Sequence, residues 1–343
     1  MATLRDVAQA AGVSPATASR ALAGGGSVSH AAKERVAKAA ADLGYQVNVL
    51  ARGLRTQRTH TIGLLLPDVR NPFFTELAYH VDKVAAEHGL TVMIGNADEQ
   101  TEQQDRYLDV LVRHQVDGII AVPQGEASEV LRRTAASMPT VFMDRDPGVP
   151  GTPTVTSDNR AGMSALVDHL VGLGRRRIGV VAGPQSTSTG RERLLAIVDR
   201  LAEHGIELEH DQIVEGDFQL DSGVLATERL LRRAALDAIV AADNLMAMGA
   251  FMVLRRHGIQ VGVDMALACV DDIEWFELVD PALTVVAQDI AGLGEAAVTS
   301  LVHQIDHQPA PSAVVPMRLI ARASCGERQP SGIRPEDKEG AHG

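Results

Sequence analysis

Aromatic rings are scarce in this sequence: Phe, Tyr and Trp make up 3% of its 343 residues, with a single Trp. Any core must therefore be filled by Ala, Val, Leu and Ile. With 45% hydrophobic and 22% charged residues, the composition is that of a soluble globular chain. Cysteine is scarcer still. Cys269 and Cys325 are the only two, which excludes a disulfide scaffold and is expected of reduced thiols in a cytoplasmic protein. No run of about 18 apolar residues occurs, so no membrane-spanning helix is expected. The first residues, Met1-Ala2-Thr3-Leu4-Arg5-Asp6, lack the apolar stretch of a signal peptide and are expected to open a folded domain. Enzymatic signatures are missing too. There is no nucleophile elbow, phosphate loop or dinucleotide fingerprint in a suitable setting, and His30, His60, His80, His88 and His114 are scattered. Catalytic residues, cofactor and metal are accordingly not expected; Asp271-Asp272 has no nearby histidine to complete a metal site.

A net positive charge is also lacking, since 32 Lys and Arg face 44 Asp and Glu, for −12 overall. The distribution reverses the argument against nucleic acid. Residues 1–60 carry eight basic side chains against Asp6, Glu34 and Asp42, a surplus of +5 that leaves −17 for the rest. A basic head on an acidic body fits a DNA-reading domain attached to one that stays off DNA.

Three short helices are predicted in that head. Thr3 caps the first, from Leu4 to about Ala11, and Gly12 breaks it. Ser14-Pro15 places a capping hydroxyl before a proline at the first helical position, starting a helix to Leu22 that ends at Gly24-Gly25-Gly26. Ser29 is expected to cap a third, closed by Gly44. Helix, tight turn, helix is the arrangement whose second member enters the major groove. Pro15, Ala16, Ser19 and Arg20 would face outward, with Arg20 able to grip a guanine edge, and Ser14, Thr17 and Ser29 suited to phosphate.

From Thr61 onward, short Val/Ile/Leu-rich strands alternate with helical runs: 62–67, 91–95, 118–122, 140–143, 178–182, 238–242, 266–270 and 284–287. That alternation predicts parallel sheets built from strand–helix–strand crossovers. The order repeats, with Ile62-Gly63, Asp117-Gly118 and Val141 to Asp144 echoed by Ile178-Gly179, Asp237-Ala238 and Ala268 to Asp272. Two similar α/β lobes imply a cleft, and ligands bind beyond the carboxyl ends of such strands.

The head sequences Leu4-Arg5-Asp6-Val7-Ala8, Gly12 to Leu22, and Gly44-Tyr45 followed by Asn48 resemble the DNA-binding head of the LacI/GalR (lactose and galactose repressor) family. Ala51-Arg52-Gly53-Leu54-Arg55 looks like that family's hinge helix. The resemblance implies that Asn48 and Arg52 contact DNA and that Leu54 wedges into the minor groove. Gly53 is a departure, because glycine weakens a helix by ~1 kcal/mol relative to alanine. In the body, Asn71-Pro72-Phe73-Phe74, Ser157-Asp158-Asn159, Ala182-Gly183-Pro184, Met246 to Ala250, Asp271-Asp272, Pro281 to Thr284 and Gln288 resemble the family's effector domain, which is similar to periplasmic sugar-binding proteins. Carried over by position, Phe73, Phe74, Asp144, Thr189, Arg193, Phe218, Asp243 and Asp271 would contact the effector. Arg193 and the aspartates would bind vicinal hydroxyls, and a phenylalanine would stack on the apolar face. Arg175 stands where the family usually has histidine, and Asp243-Asn244 reverses its commoner order.

The expected architecture is an all-α helix-turn-helix head at 1–46, a hinge at 47–59, and a two-lobed, doubly wound, periplasmic-binding-protein-like body at 60–326. The lobes are assigned to 60–160 plus 290–320, and to 161–289 plus 321–326. Residues 327–343, rich in Gly, Pro and charge, read as a disordered tail. The expected function is a repressor that binds a palindromic operator as a homodimer, controlled by a small polar effector, a sugar or sugar derivative, in the cleft. The alternatives are a solute-binding protein without DNA function and a regulator with a nucleobase-type co-repressor.

Overall fold

The computed structural model describes residues 2–22, 28–45 and 58–326. Expectations on Asn48, Arg52, Leu54, the glycine run at 24–26 and the tail beyond 326 lie outside these residues. The chain divides into two compact units, Met1–Thr59 and His60–Gly343.

In the first unit, α1 (Leu4–Ala10), α2 (Pro15–Leu22) and α3 (His30–Asp42) enclose a core of Val7, Ala8, Ala11, Ala18, Val36, Ala39 and Ala40. Small residues let the helix axes approach closely, with Tyr45 packed against the edge of the core. Thr3 and Asp6 form a reciprocal capping box at α1, and Gly12 turns the chain at φ +64°. The Ser14 hydroxyl accepts from the Thr17 N–H at 3.1 Å, so α2 starts at the expected residue. Ser29 does not cap as expected: it holds the extended cap conformation, but its side chain makes no capping bond to α3. A tie the sequence did not announce is Arg35, whose Nε donates to the Ala11 carbonyl at the end of α1.

The second unit holds two six-stranded sheets. The first contains β1 (Thr61–Leu66), β2 (Thr91–Asn96), β3 (Gly118–Ala121), β4 (Thr140–Met143), β5 (Thr154–Ser157) and β11 (Ala313–Val315), ordered β11-β5-β4-β3-β1-β2 and parallel throughout. The second contains β6 (Ile178–Ala182), β7 (Ile213–Glu215), β8 (Ala238–Ala241), β9 (Ala266–Val270), β10 (Thr284–Gln288) and β12 (Met317–Ile320), ordered β12-β10-β9-β8-β6-β7. Every residue of β3, β4, β6, β8 and β9 is buried, which explains their unbroken apolar runs: parallel strands are covered on both faces. α4 (Pro72–Glu87), α5 (Thr101–Arg113), α6 (Glu129–Ser137) and α11 (Ile290–Ile305) cover the first sheet. α7 (Asn159–Gly172), α8 (Ser188–Glu203), α9 (Leu220–Arg233) and α10 (Asn244–Arg256) cover the second.

The chain crosses between lobes three times, at Asp158, Asp289 and Pro316. Asp158 and Asp289 each cap the helix that follows, accepting from Ala161 and Gly292. The last crossing corrects the expected boundary, which placed residues up to 320 in the first lobe. β12 pairs antiparallel with β10, from Val285↔Ile320 to Gln288↔Met317, because Met317 and Leu319 pack on the core of the second lobe. Four short strands, β5, β7, β11 and β12, were not expected. They lack the continuous buried apolar run that marks β3, β4 and β8, which are no longer than four residues themselves.

Candidate functional site

On the head, Ser14, Pro15, Ala16, Arg20 and Ser29 are exposed, and Thr17 and Ser19 are half-buried. Of the residues expected to face outward on α2, Pro15, Ala16 and Arg20 do so, because Ala18 on the opposite side fills the core, while Ser19 is half-buried. The hydroxyls of Ser14 and Thr17 share a hydrogen bond of 2.9 Å, and Arg20 Nε donates to the Ala16 carbonyl at 3.3 Å. The α2 face is thus held in place by its own side chains before any DNA is present.

The second site lies between the lobes of the body. A narrow cleft with a cavity volume of about 20 Å³ is lined by Asn71, Phe73, Phe74, Asp144, Arg145, Thr189, Arg193, Phe218, Asp243, Asp271 and Gln288. All eight side chains singled out in the sequence as effector contacts meet there. Asn71, Arg145 and Gln288 were not among those eight; Arg145 follows Asp144, Asn71 caps the helix that carries Phe73 and Phe74, and Gln288 ends β10.

The strand ends explain the convergence. Asp144 follows β4 and Asp271 follows β9, both with left-handed backbones at φ +64° and +71°. Neither caps a helix, whereas Asp243, after β8, caps α10 by accepting from the Met246 N–H at 2.9 Å. Phe218 is left-handed as well, at φ +61°. Such a conformation is costly for a bulky residue and gathers at functional sites. The Phe218 ring belongs to the core of the second lobe and lines the cleft at once. Its ring fills the space where a side chain on Gly183 would stand, 2.4 Å from that position.

Arg193, on the first turns of α8, donates to Asn159 Oδ1 and to the Ala242 carbonyl, both at 2.8 Å. It is therefore fixed within its own lobe, and its charge acts to lower the pKa of all three aspartates. Arg145 is held by two 2.8 Å bonds to the Glu99 carboxylate, and its guanidinium lies 5.1 Å from the Phe218 ring centroid. Gln288 accepts from Ser157 and donates to Asp271 Oδ1 at 2.7 Å, joining two crossovers to the cleft. The lobes also touch directly. Asn244 Nδ2 donates to Asn71 Oδ1 at 2.8 Å, and the Asp146 N–H donates to Ser188 Oγ at 2.8 Å.

Burial raises the pKa of all three cleft aspartates. That of Asp243 reaches about 7; burial is the main cause, the Met246 N–H opposes it and the charge of Asp271 adds to it. Asp271 reaches about 6, with burial again dominant, opposed by Arg193 and Gln288. Asp144 is raised by burial against the pull of Arg193 and Arg145. Asp144 Oδ1 and Asp243 Oδ2 are buried without a hydrogen-bond partner, so the cleft presents unmet acceptors. Neighbouring polar residues serve the scaffold instead. Asp272 forms a bidentate pair with Arg322 at 2.8 Å, and Arg175 donates to the carbonyls of Gly262 and Cys325. Both cysteines are buried and unpaired. No helix among the described residues is long and apolar enough to cross a membrane.

Comparison with known proteins agrees with both units. Residues 3–48 match the model for bacterial regulatory proteins of the lacI family, and residues 167–325 match a periplasmic binding protein-like domain. The HTH-type transcriptional repressor CytR of Escherichia coli is 32% identical over 328 residues, covering 94% of this chain and 96% of that protein. A ribose operon repressor of Halalkalibacterium halodurans is 33% identical over 329 residues, with the same coverage. Among solved structures, the lac repressor dimer bound to operator and the anti-inducer ONPF superposes with a TM-score of 0.85 at 26% identity, covering 94% of this chain and 99% of that one. The transcriptional regulator CelR in complex with cellobiose gives a TM-score of 0.72 at 31% identity, over 94% of this chain and 100% of that one. With a matching head, a matching body and relatives aligned along nearly its whole length, the chain belongs to the lacI family of bacterial regulatory proteins, DNA-binding transcriptional repressors rather than enzymes.

Proposed function

We propose that this repressor acts in the cytoplasm as a homodimer on a near-palindromic operator, released or engaged by a small polyhydroxylated effector in the interlobe cleft. Pro15, Ala16, Ser19 and Arg20 read base edges, while Ser14, Thr17, Ser29, Asn48 and Arg52 hold backbone phosphates and Leu54 opens the central step. The observation that carries the effector reading is the convergence of Phe73, Phe74, Asp144, Thr189, Arg193, Phe218, Asp243 and Asp271 on one buried cleft with unmet acceptors. Hydroxyl donors satisfy those acceptors, and the phenylalanine rings cover the apolar face of a sugar.

The direct contacts Asn244–Asn71 and Asp146–Ser188 span the two lobes, so a ligand between them changes how far the lobes close. The shift it produces on DNA equals its difference in affinity for the two arrangements. The test is selection of random duplex DNA on the full-length protein at fixed moderate salt, with and without a panel of sugars. Enrichment of a palindrome with a flexible central pyrimidine–purine step is expected, and its retention should change with one of the sugars. Absence of enrichment under every condition would overturn the proposal.

A further inference from the structure

Three carboxylates line the cleft beside two guanidiniums, those of Arg193 and Arg145. Asp144, Asp243 and Asp271 are each 4% exposed, and the Arg193 charge acts on all three. The other cation lining the cleft, Arg145, lies 3.9 Å from Asp144 but is also held by a fourth carboxylate, Glu99, in a bidentate pair, so four carboxylates face two guanidiniums. Two formal negative charges are therefore left over in a space largely closed to water. A buried charge without a partner is costly, and the structure must take up protons or a cation to relieve it. Burial is the main cause of the elevated pKa values of Asp243 and Asp271, about 7 and about 6, and the charge of a neighbouring aspartate adds to each. Geometry adds a second observation. The unpartnered oxygens Asp144 Oδ1 and Asp243 Oδ2 are buried and belong to side chains that line the cleft. Both are acceptors; one donor on the lining, Arg145 Nε, is also buried without a hydrogen-bond partner, but it belongs to a guanidinium already paired with Glu99, so these two oxygens lack donors and the cleft lacks positive charge.

We propose that the cleft selects a polyhydroxylated ligand carrying a cationic nitrogen, an aminated sugar rather than its neutral parent, with the nitrogen placed against Asp243 and Asp144. An ammonium group supplies three N–H donors and one positive charge at the point where both are wanted. Asp271, held by Gln288, remains to accept from a hydroxyl. The Phe218 and Phe74 rings already hold the Arg145 guanidinium, so the phenylalanines serve the apolar face of the ligand. The inference rests on the effector reading above and sharpens it to a charge class.

The test uses the full-length protein in amine-free phosphate buffer near neutral pH. Thermal shift and titration calorimetry compare D-glucosamine, D-galactosamine and D-mannosamine with D-glucose, D-galactose and D-mannose. At least one amine is expected to bind at least about tenfold more tightly than its neutral parent. Asp243→Asn should erase that preference while leaving the far-ultraviolet circular dichroism unchanged. Asp144→Asn serves as the second variant if Asp243→Asn does not fold. Equal or tighter binding of the neutral parents overturns this inference and leaves the effector reading intact. Binding of no member of the panel overturns both.

Discussion

On α2 of the head, Pro15, Ala16 and Arg20 stand in solvent on a helix whose start is fixed by its neighbours Ser14 and Thr17. In the cleft, Asp144, Asp243 and Asp271 are buried, and they arrive from the ends of β4, β8 and β9. Exposed side chains can wait for a partner at little cost, because water solvates them and the helix needs only its caps and a small core. Buried ones cannot. Their charge has to be met inside the protein, and here Arg193 meets only part of it. A site for a macromolecule is thus built on local structure, whereas a site for a small molecule stores unmet polarity that the ligand relieves.

The sharpest way to break this contrast is Arg193→Ala. Removing the cation whose charge acts on three buried carboxylates costs roughly 3–5 kcal/mol. Thermal unfolding should show a large loss of stability together with loss of any effector response; a stable variant with an intact response would mean that Arg193 is not the shared counter-ion. Arg20→Ala should have the opposite profile. It is exposed, so stability should hardly change, while specific operator affinity falls by about 1–3 kcal/mol in a salt-controlled binding assay. Gly183→Ala comes next, since the new methyl group would meet the Phe218 ring at 2.4 Å. Overpacking of this kind costs about 1–3 kcal/mol and should displace the ring from the cleft wall, measurable by unfolding and by weakened effector binding.

The pH response is smaller. The folded-state pKa of Asp243 is raised to about 7 from its ordinary 3.8, and that of Asp271 to about 6. Below 3.8 both carboxyls are protonated, folded or unfolded, and the stability they permit is fully present. It is lost as pH rises through about 6 and about 7. The ligand-free protein should therefore melt at a lower temperature at pH 8 than at pH 5, and Asp243→Asn should flatten the slope. The smallest effect is expected at Thr3→Ala, which removes the capping box of α1. It should cost about 1 kcal/mol of head stability and leave cleft ligand binding unchanged.

The two regions also differ in how well they can be read from the chain. Thr3, Gly12, Ser14 and Pro15 announce α1 and α2, because caps and turns depend on residues within a few positions of one another. Ser29 misleads: it is a suitable capping residue whose hydroxyl makes no capping bond. The strand cores of the body are legible from their apolar runs, and the cleft residues from their place just after those runs. Arg145 and Gln288 were harder to assign, because their partners Glu99 and Ser157 are far away in sequence.

By itself the sequence determined a basic helix-turn-helix head, two tandem α/β lobes and the strand ends where a ligand site must form. Those follow from local caps, apolar runs and charge distribution, none of which needs a distant partner. The tertiary structure alone decided that β12 joins the second sheet, that Asn71 meets Asn244 across the lobes, and that the charge of one arginine acts on three aspartates. Pairing, burial and charge balance depend on which residues the folded lobes bring together, and that proximity exists only once the chain has closed on itself.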